Sequence, residues 1–258
     1  MPDQVYNGGL DVAEWVLYAF FLFFFGLVAY LRREDRREGY PLEDDVSGRH
    51  EPLGGLLFTA QPKVFRLPHD GGSVTKPDGV REAVPANARR TAPWAGSPLE
   101  PVGDPLQAGI GPGAYAQRAK TPDVMMHGAP RVVPLRVADD FYLDKRDPDP
   151  RGMPVVGADN AVAGTVSDVW VDRSEYLIRY LEVALEGSSK RMLVPMPMAV
   201  IQRSRKRVRV DALLAAQFAG APTLGNPDQI TRDEEERVSA YVGSGALYAT
   251  PARAEPWL

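Results

Sequence analysis

From Val12 to Leu31 the chain reads VAEWVLYAFFLFFFGLVAYL, and between Trp15 and Leu31 it holds no charged residue. A helix of that length rises about 30 Å at ~1.5 Å per residue, the thickness of a bilayer's hydrocarbon core, and this one is apolar on every face rather than along one stripe. The segment 12–31 is therefore predicted to span a membrane, with Trp15 and Tyr18 near one interface and Tyr30 at the other. Two competing explanations fit less well. A cleaved signal peptide has a basic leader and a small-residue cleavage site, whereas residues 1–11 contain no Lys or Arg and the apolar run ends in LRREDRREGYP. A helix buried inside a soluble protein is seldom apolar all round for so long. Orientation follows from basic residues alone. None precedes the span and Arg32, Arg33, Arg36 and Arg37 follow it, which predicts a periplasmic N-terminus, 1–11, and a cytoplasmic C-terminal part.

The 258 residues leave room for a sizeable domain after the span, and 44% hydrophobic content suffices for a core. With no Cys, disulfide scaffolds, thiolate catalysis and iron–sulfur ligation are excluded, and His50, His69 and His127 are too scattered for a local metal motif. A net charge of −4 disfavours a general nucleic-acid binder. Between Pro41 and Pro154 fall 17 prolines and 13 glycines, a density that breaks helices and leaves few runs long enough for a sheet. Apolar anchors nevertheless recur there: Leu56-Leu57-Phe58, Val64-Phe65, Trp94 and Tyr115. The stretch 32–130 is expected to be an extended chain draped over a partner's surface, with a loosely ordered loop region as the bland alternative. GIGPGAY at 109–115 lacks the Lys-Ser/Thr and the preceding strand of a phosphate loop and is read as a turn.

Beyond Pro154 the pattern changes. Val155-Val156, Ala161–Val171, Tyr176–Leu185, Arg191–Val194, Val200-Ile201 and Val208–Val210 are short β-type runs separated by turn signals. They predict a small antiparallel barrel or sandwich within a cytoplasmic domain at 131–258. Thr231-Arg232-Asp233-Glu234 has the form of a capping box and is expected to start a helix through Tyr241 that Gly243 and Gly245 stop. The fold class is thus a single transmembrane α-helix plus a mainly β domain with a C-terminal helix. RSRKRVR at 203–209 interleaves no aromatic residue for base stacking and reads as a solvated hairpin rather than an RNA site.

Strict alternation along LIRYLEVAL sets Arg179 on one face with Leu177, Leu181, Val183 and Leu185. A guanidinium among leucines needs anionic partners, and the nearest carboxylates in sequence are Asp172 and Glu175. Two readings follow. The three form a structural ion pair that fixes the hairpin, or they form a cluster whose shared proton can move. His127, four residues after Asp123, titrates near neutral pH when unperturbed, although a lone loop histidine is usually only a surface group. No Ser-His-Asp, dinucleotide or metal constellation is present, so an independent enzyme is not expected.

YLRREDRREGYPLE (30–43), VFRLPHDGG (64–72), GPGAYAQRA (111–119), VVPLRVADDF (132–141), DPRGMPVV (149–156), DVWVDRSEYLIRYLEV (168–183) and EEERVSAYVGSGALYATP (234–251) together resemble the H subunit of the purple-bacterial photosynthetic reaction centre, over nearly the whole chain. The resemblance implies a single-span subunit of the intracytoplasmic, chromatophore membrane. Its PRC-barrel domain would cap the pigment-binding L and M subunits, stabilise the complex and help bring protons to the secondary quinone. It implies no cofactor on this chain, with bacteriochlorophyll, bacteriopheophytin, quinones and non-haem iron in the partner subunits, and it adds a cytochrome subunit and an antenna ring as candidate neighbours. It also implies proton-transfer roles for Asp172, Glu175 and Arg179 below the quinone and for His127 and Asp123 where protons come in. Where some relatives carry Asp and a second His there, this chain has Met125 and Ala129, which removes ligands for a surface metal, so Asp123 and His127 are expected to matter less than Glu175. Tyr30, Arg32, Arg33, Arg37 and Tyr40 are expected to contact an anionic lipid at the helix exit. The alternative function is a membrane-tethered PRC-barrel adaptor for another assembly, supported only by the basic run at 203–209.

Overall fold

The apolar run becomes helix α1, Val12–Glu34, and its start is set by a reciprocal cap. The Asp11 carboxylate accepts from the Glu14 amide at 2.8 Å, and Glu14 accepts from the Asp11 amide at 3.0 Å. The computed structural model describes residues 11–40, 42–44, 46–49, 60–80 and 86–254. The anchor triplet Leu56-Leu57-Phe58 and His50 lie outside the described residues. From Val12 to Leu31 every side chain of α1 is exposed, which fits a single bilayer crossing, since none of the described residues covers the helix. The helix runs three residues beyond the predicted end because Arg32, Arg33 and Glu34 are good helix formers, and Asp35–Arg37 tighten into a 3₁₀ turn.

The chain divides into two units. In the first, which carries α1, strands β1 (Lys63–Arg66) and β2 (Ser73–Lys76) form an antiparallel hairpin, with His69 and Asp70 left-handed in its turn. Arg37 ties this hairpin to the helix exit. Its guanidinium forks onto Glu34 at 2.7 and 2.8 Å and donates to the carbonyls of Lys76, at 3.0 Å, and Gln61.

The second unit holds the β-rich domain. A short hairpin pairs β3 (Ala88–Arg90) with β4 (Leu99–Pro101). The main sheet contains β5 (Val132–Pro134), β6 (Pro154–Val156), β7 (Val162–Asp172), β8 (Leu177–Leu185), β9 (Arg191–Pro195), β10 (Val200–Gln202) and β11 (Arg207–Arg209). The order is β10-β11-β6-β7-β8-β9, with β5 added on the far end of β7; only β11 against β6 is parallel. Val155, Val166, Val169, Leu181, Val183, Val194 and Val208 fill the inner face.

The outer face is not left to solvent. Trp170, Tyr180 and Leu193 pack with Ile230 and Val238, the latter from helix α2, Arg232–Tyr248. Because both faces are covered, Val169–Asp172 are buried without alternation. Helix α2 continues past the two glycines expected to stop it. A Cβ on Gly245 would stand 2.1 Å from the Ala212 carbonyl, and one on Gly243 would stand 3.1 Å from that of Pro112. These glycines serve close packing against neighbouring backbone, not termination.

The Gly/Pro-rich stretch is partly internal to this unit. Leu106, Ala108 and Ile110 are buried, and the Gly111–Gly113 turn lies against Ser244 of α2. Of the predicted anchors, Val64, Phe65 and Trp94 are exposed, while Tyr115 is half-buried beneath the Arg237 guanidinium, 5.7 Å from its ring centre.

Candidate functional site

Strand β7 ends in Asp172, whose buried carboxylate builds the turn to β8: Oδ1 accepts from the amides of Ser174 at 2.9 Å and Glu175 at 3.0 Å. Strand β5 pairs with this end, Val132 opposite Asp172, and so delivers the preceding residue, Arg131, to the carboxylate. Arg131 Nε donates to Asp172 Oδ1 at 3.0 Å, and Nη2 lies 2.9 Å from Oδ2. The second contact is ionic, without hydrogen-bond geometry, so Oδ2 keeps acceptor capacity. The same guanidinium reaches Glu175 Oε1 and, at 3.3 Å, Asp123 Oδ2. One cation thus gathers three carboxylates from 123, 172 and 175.

Asp123 arrives on a loop pinned to the start of α2. Pro122 bridges to Thr231, the helix cap, and the Arg232 amide donates to the Thr121 carbonyl at 3.1 Å. The first turn of α2 then carries Glu235 beside the cluster. Tyr180 from β8 donates its hydroxyl to Glu235 Oε2 at 2.7 Å, and Arg179 stands 3.8 Å from the same oxygen.

Arg179 is therefore not where alternation placed it. Trp170 pairs with Tyr180 but Val171 with Ile178, so Arg179 is the extra residue of a β-bulge. Ile178 takes the inward place, and Arg179 is turned out towards Glu235 rather than towards Asp172 and Glu175. The cation that holds those two carboxylates is Arg131, which period-2 counting on one hairpin could not find because it sits 41 residues away.

The protonation behaviour within the site diverges. Burial pushes the Asp172 carboxyl up, but the Arg131 guanidinium and the two turn amides outweigh it and hold the group below the usual carboxylate range. Glu235 goes the other way. Burial raises it above the ordinary glutamate value, the charges of Asp123 and Asp172 add to the rise, and the Tyr180 hydroxyl and Arg179 offset only part of it. Burial and the neighbouring Glu235 carboxylate also push the Tyr180 phenol up, so it stays a donor. Chemically the site combines fixed anions, a hydrogen-bonded phenol and one carboxyl poised to hold a proton. The sequence pattern marks Thr231–Glu234 as a capping box that opens a helix and gives Glu235 no role. Glu235, Val238 and Val242 share a helical face, and a carboxylate on the buried face of an amphipathic helix was the available signal.

A second cluster lies on the same two strands. Glu182, buried, accepts from Arg136 at 2.9 Å, Trp170 Nε1 at 3.0 Å, Ser167 at 2.8 Å and Arg191 at 2.9 Å. Arg136 also meets buried Asp168 at 3.1 Å and Asp228 at 3.1 Å. Burial works against ionisation of Glu182, yet its donors hold its pKa low.

The remaining predicted residues stand apart. His127 is exposed in the turn closed by the Gly128 amide on the Met125 carbonyl at 2.9 Å. At the helix exit Tyr30 is exposed, Arg36 lies over the Tyr40 ring at 5.2 Å, and Arg32 meets Asp35 at 3.5 Å. Every guanidinium nitrogen of Arg37 is engaged within the chain. Arg33 Nε is buried with no hydrogen-bond partner among the described residues. Among those residues no group of three or more His, Asp or Glu is arranged to hold a metal ion.

Comparison with known families gives two matches. Residues 4–137 match the family "Photosynthetic reaction centre, H-chain N-terminal region", and residues 144–217 match the PRC-barrel domain. The first match alone covers just over half the chain and includes the apolar helix, β5 and Asp123 and Arg131; the second includes β6 to β11 with Asp172, Glu175, Arg179 and Glu182. The chain belongs to the photosynthetic reaction centre H-chain family.

Proposed function

We propose that this H subunit caps the L and M subunits on the cytoplasmic side, stabilises their assembly and passes protons towards the secondary quinone as it is doubly reduced. Membership of the H-chain family carries the association with L and M. The pigments and quinones belong to those partners in this reading. The observation that supports proton delivery is the gathering of Asp123, Asp172, Glu175 and Glu235, from three separate parts of the chain, around Arg131 and Arg179. Four carboxylates stand against two guanidiniums, and Glu235, raised by its burial and by the charges of Asp123 and Asp172, is the member that takes up a proton. A quinone reduced inside hydrocarbon must gain protons that hydrocarbon does not offer, so a polar path through a capping domain is required.

The roles follow from position. Asp123 and Glu175 are exposed enough to exchange protons with water, Asp172 stays ionised and attracts them electrostatically, and Glu235 with Tyr180 holds one in reserve. Arg32 and Arg33 meet an anionic lipid at the bilayer surface, at roughly 1 kcal/mol each. The arginine excess at 32–37 supports the orientation with the barrel domain in the cytoplasm of an intracytoplasmic membrane.

Flash kinetics test the reading. Glu175→Gln and Glu235→Gln should each slow transfer of the second electron to the secondary quinone while leaving pigment absorption and the first charge separation intact. Rates equal to the parent across pH 6 to 9 (roughly the range in which perturbed carboxyls and His titrate) in both variants would reject proton delivery and leave a structural ion cluster.

A further inference from the structure

Beside Glu235 the second unit opens a cavity of about 480 Å³ whose charged lining is Arg118, Arg179, Arg232, Glu235 and Glu236, with the Tyr180 ring at its wall. Three guanidiniums face two carboxylates. Glu236 is already committed to Arg118 at 3.0 Å, and Arg179 is only 3.8 Å from Glu235. The Arg232 side chain is exposed and has no ion pair among the described residues. The cavity is therefore net positive although it lies in a chain of net charge −4 and next to an acidic cluster. Three arginines lining one open volume suit a tetrahedral oxyanion, whose oxygens accept charge-assisted hydrogen bonds from planar guanidinium donors.

We infer that this arginine-lined cavity binds a protonated phosphate-class oxyanion from solution and that the bound acid delivers its proton to Glu235. The inference rests on the proton-relay reading above and names its external donor. The step is a simple proton transfer. The O–H bond of dihydrogen phosphate breaks, an O–H bond forms on the Glu235 carboxylate, and hydrogen phosphate remains among the guanidiniums, which favour the more negative product. Supply supports such a donor. Free protons at pH 7, about 10⁻⁷ M, reach a site only ~10² to 10³ times per second at the diffusion limit, whereas a weak acid at millimolar concentration arrives ~10³ to 10⁴ times more often. The upward shift of Glu235 fits a group that accepts protons from such an acid.

The test uses the intact complex with its L and M partners, at fixed pH and fixed ionic strength, with inorganic phosphate exchanged for chloride. Proton uptake after two flashes, read by a pH dye, should accelerate with phosphate and saturate, and ³¹P relaxation should report phosphate binding. Arg232→Gln should raise the half-saturating phosphate concentration about ten-fold, the loss of one charged hydrogen-bonding partner, and Arg118→Gln should do the same. Uptake that ignores phosphate, or a saturation curve unchanged in both variants, overturns the inference. If Glu235→Gln slows uptake even without phosphate while phosphate has no effect in the parent, the relay survives and the oxyanion site falls. If Glu235→Gln leaves uptake untouched, the relay itself fails.

Discussion

The barrel carries two arginine–carboxylate clusters on the same pair of strands, and they differ in how their charges are matched. Around Glu182, each carboxylate oxygen has two donors, and a tryptophan and a serine supplement the guanidiniums. Around Arg131 and Arg179, four carboxylates share two cations, and one oxygen of buried Asp172 has no well-formed hydrogen bond. The donors of the first hold its central carboxyl low; in the second, burial, aided by the charges of Asp123 and Asp172, raises Glu235. A saturated cluster fixes structure, whereas an undersupplied one leaves a group free to trade protons.

The largest effect that would break this contrast comes from the cations. Arg131→Ala strands buried Asp172, and Arg136→Ala strands buried Asp168, whereas Glu182 keeps Arg191; each should cost about 3–5 kcal/mol in denaturant unfolding of the full chain, since a buried charge loses its cation. A loss below ~1 kcal/mol in either would mean that water replaces the guanidinium and the carboxylate is not truly buried.

Next in size is a divergence between two Glu→Gln changes. Glu235→Gln should slow the second electron about ten-fold, equivalent to ~1.4 kcal/mol of barrier, with no loss of stability at neutral pH. Glu182→Gln should lose about 1–3 kcal/mol of stability through mismatched donors and leave the electron-transfer rate alone. Swapped outcomes would exchange the roles of the clusters.

The pH dependence of stability sharpens the same point. Asp172 has a lowered folded pKa, so its contribution is present above the ordinary carboxylate range and is lost as pH falls through the depressed value; Asp172→Asn should flatten that acid limb. Glu235 has a raised folded pKa, so stability declines as pH climbs from the ordinary glutamate value through the raised one, and Glu235→Gln should abolish that decline. The smallest effect belongs to Tyr180→Phe. Removing the hydroxyl that donates to Glu235 should move the pH midpoint of the second-electron rate upward, by up to about one unit.

The parts of this molecule that were legible in the sequence are those governed by local pattern. The span was visible because a bilayer demands an unbroken apolar run, and β6 to β11 were visible because turn residues bracket short β-branched stretches. Strand β5 was hidden, since Val132-Val133 lies between Pro130 and Pro134 and gains its strand character only by pairing with β7. The length of α2 was hidden because Gly243 and Gly245 look like stops until the backbone they pack against is known. The site was half legible. Asp172, Glu175 and Asp123 do meet, but through Arg131 on another strand, and one bulge was enough to redirect Arg179. Non-local pairing and a single inserted residue are what local periodicity does not encode.

Light-induced infrared difference spectroscopy of the intact complex tests the central claim most directly, because it observes a carboxyl gaining or losing its proton as the secondary quinone is reduced. A carboxylic C=O band that disappears in Glu235→Gln and persists in Glu182→Gln is the predicted result. A band unchanged in Glu235→Gln, with second-electron rates equal to the parent, would contradict the account and reduce both clusters to structural ion networks.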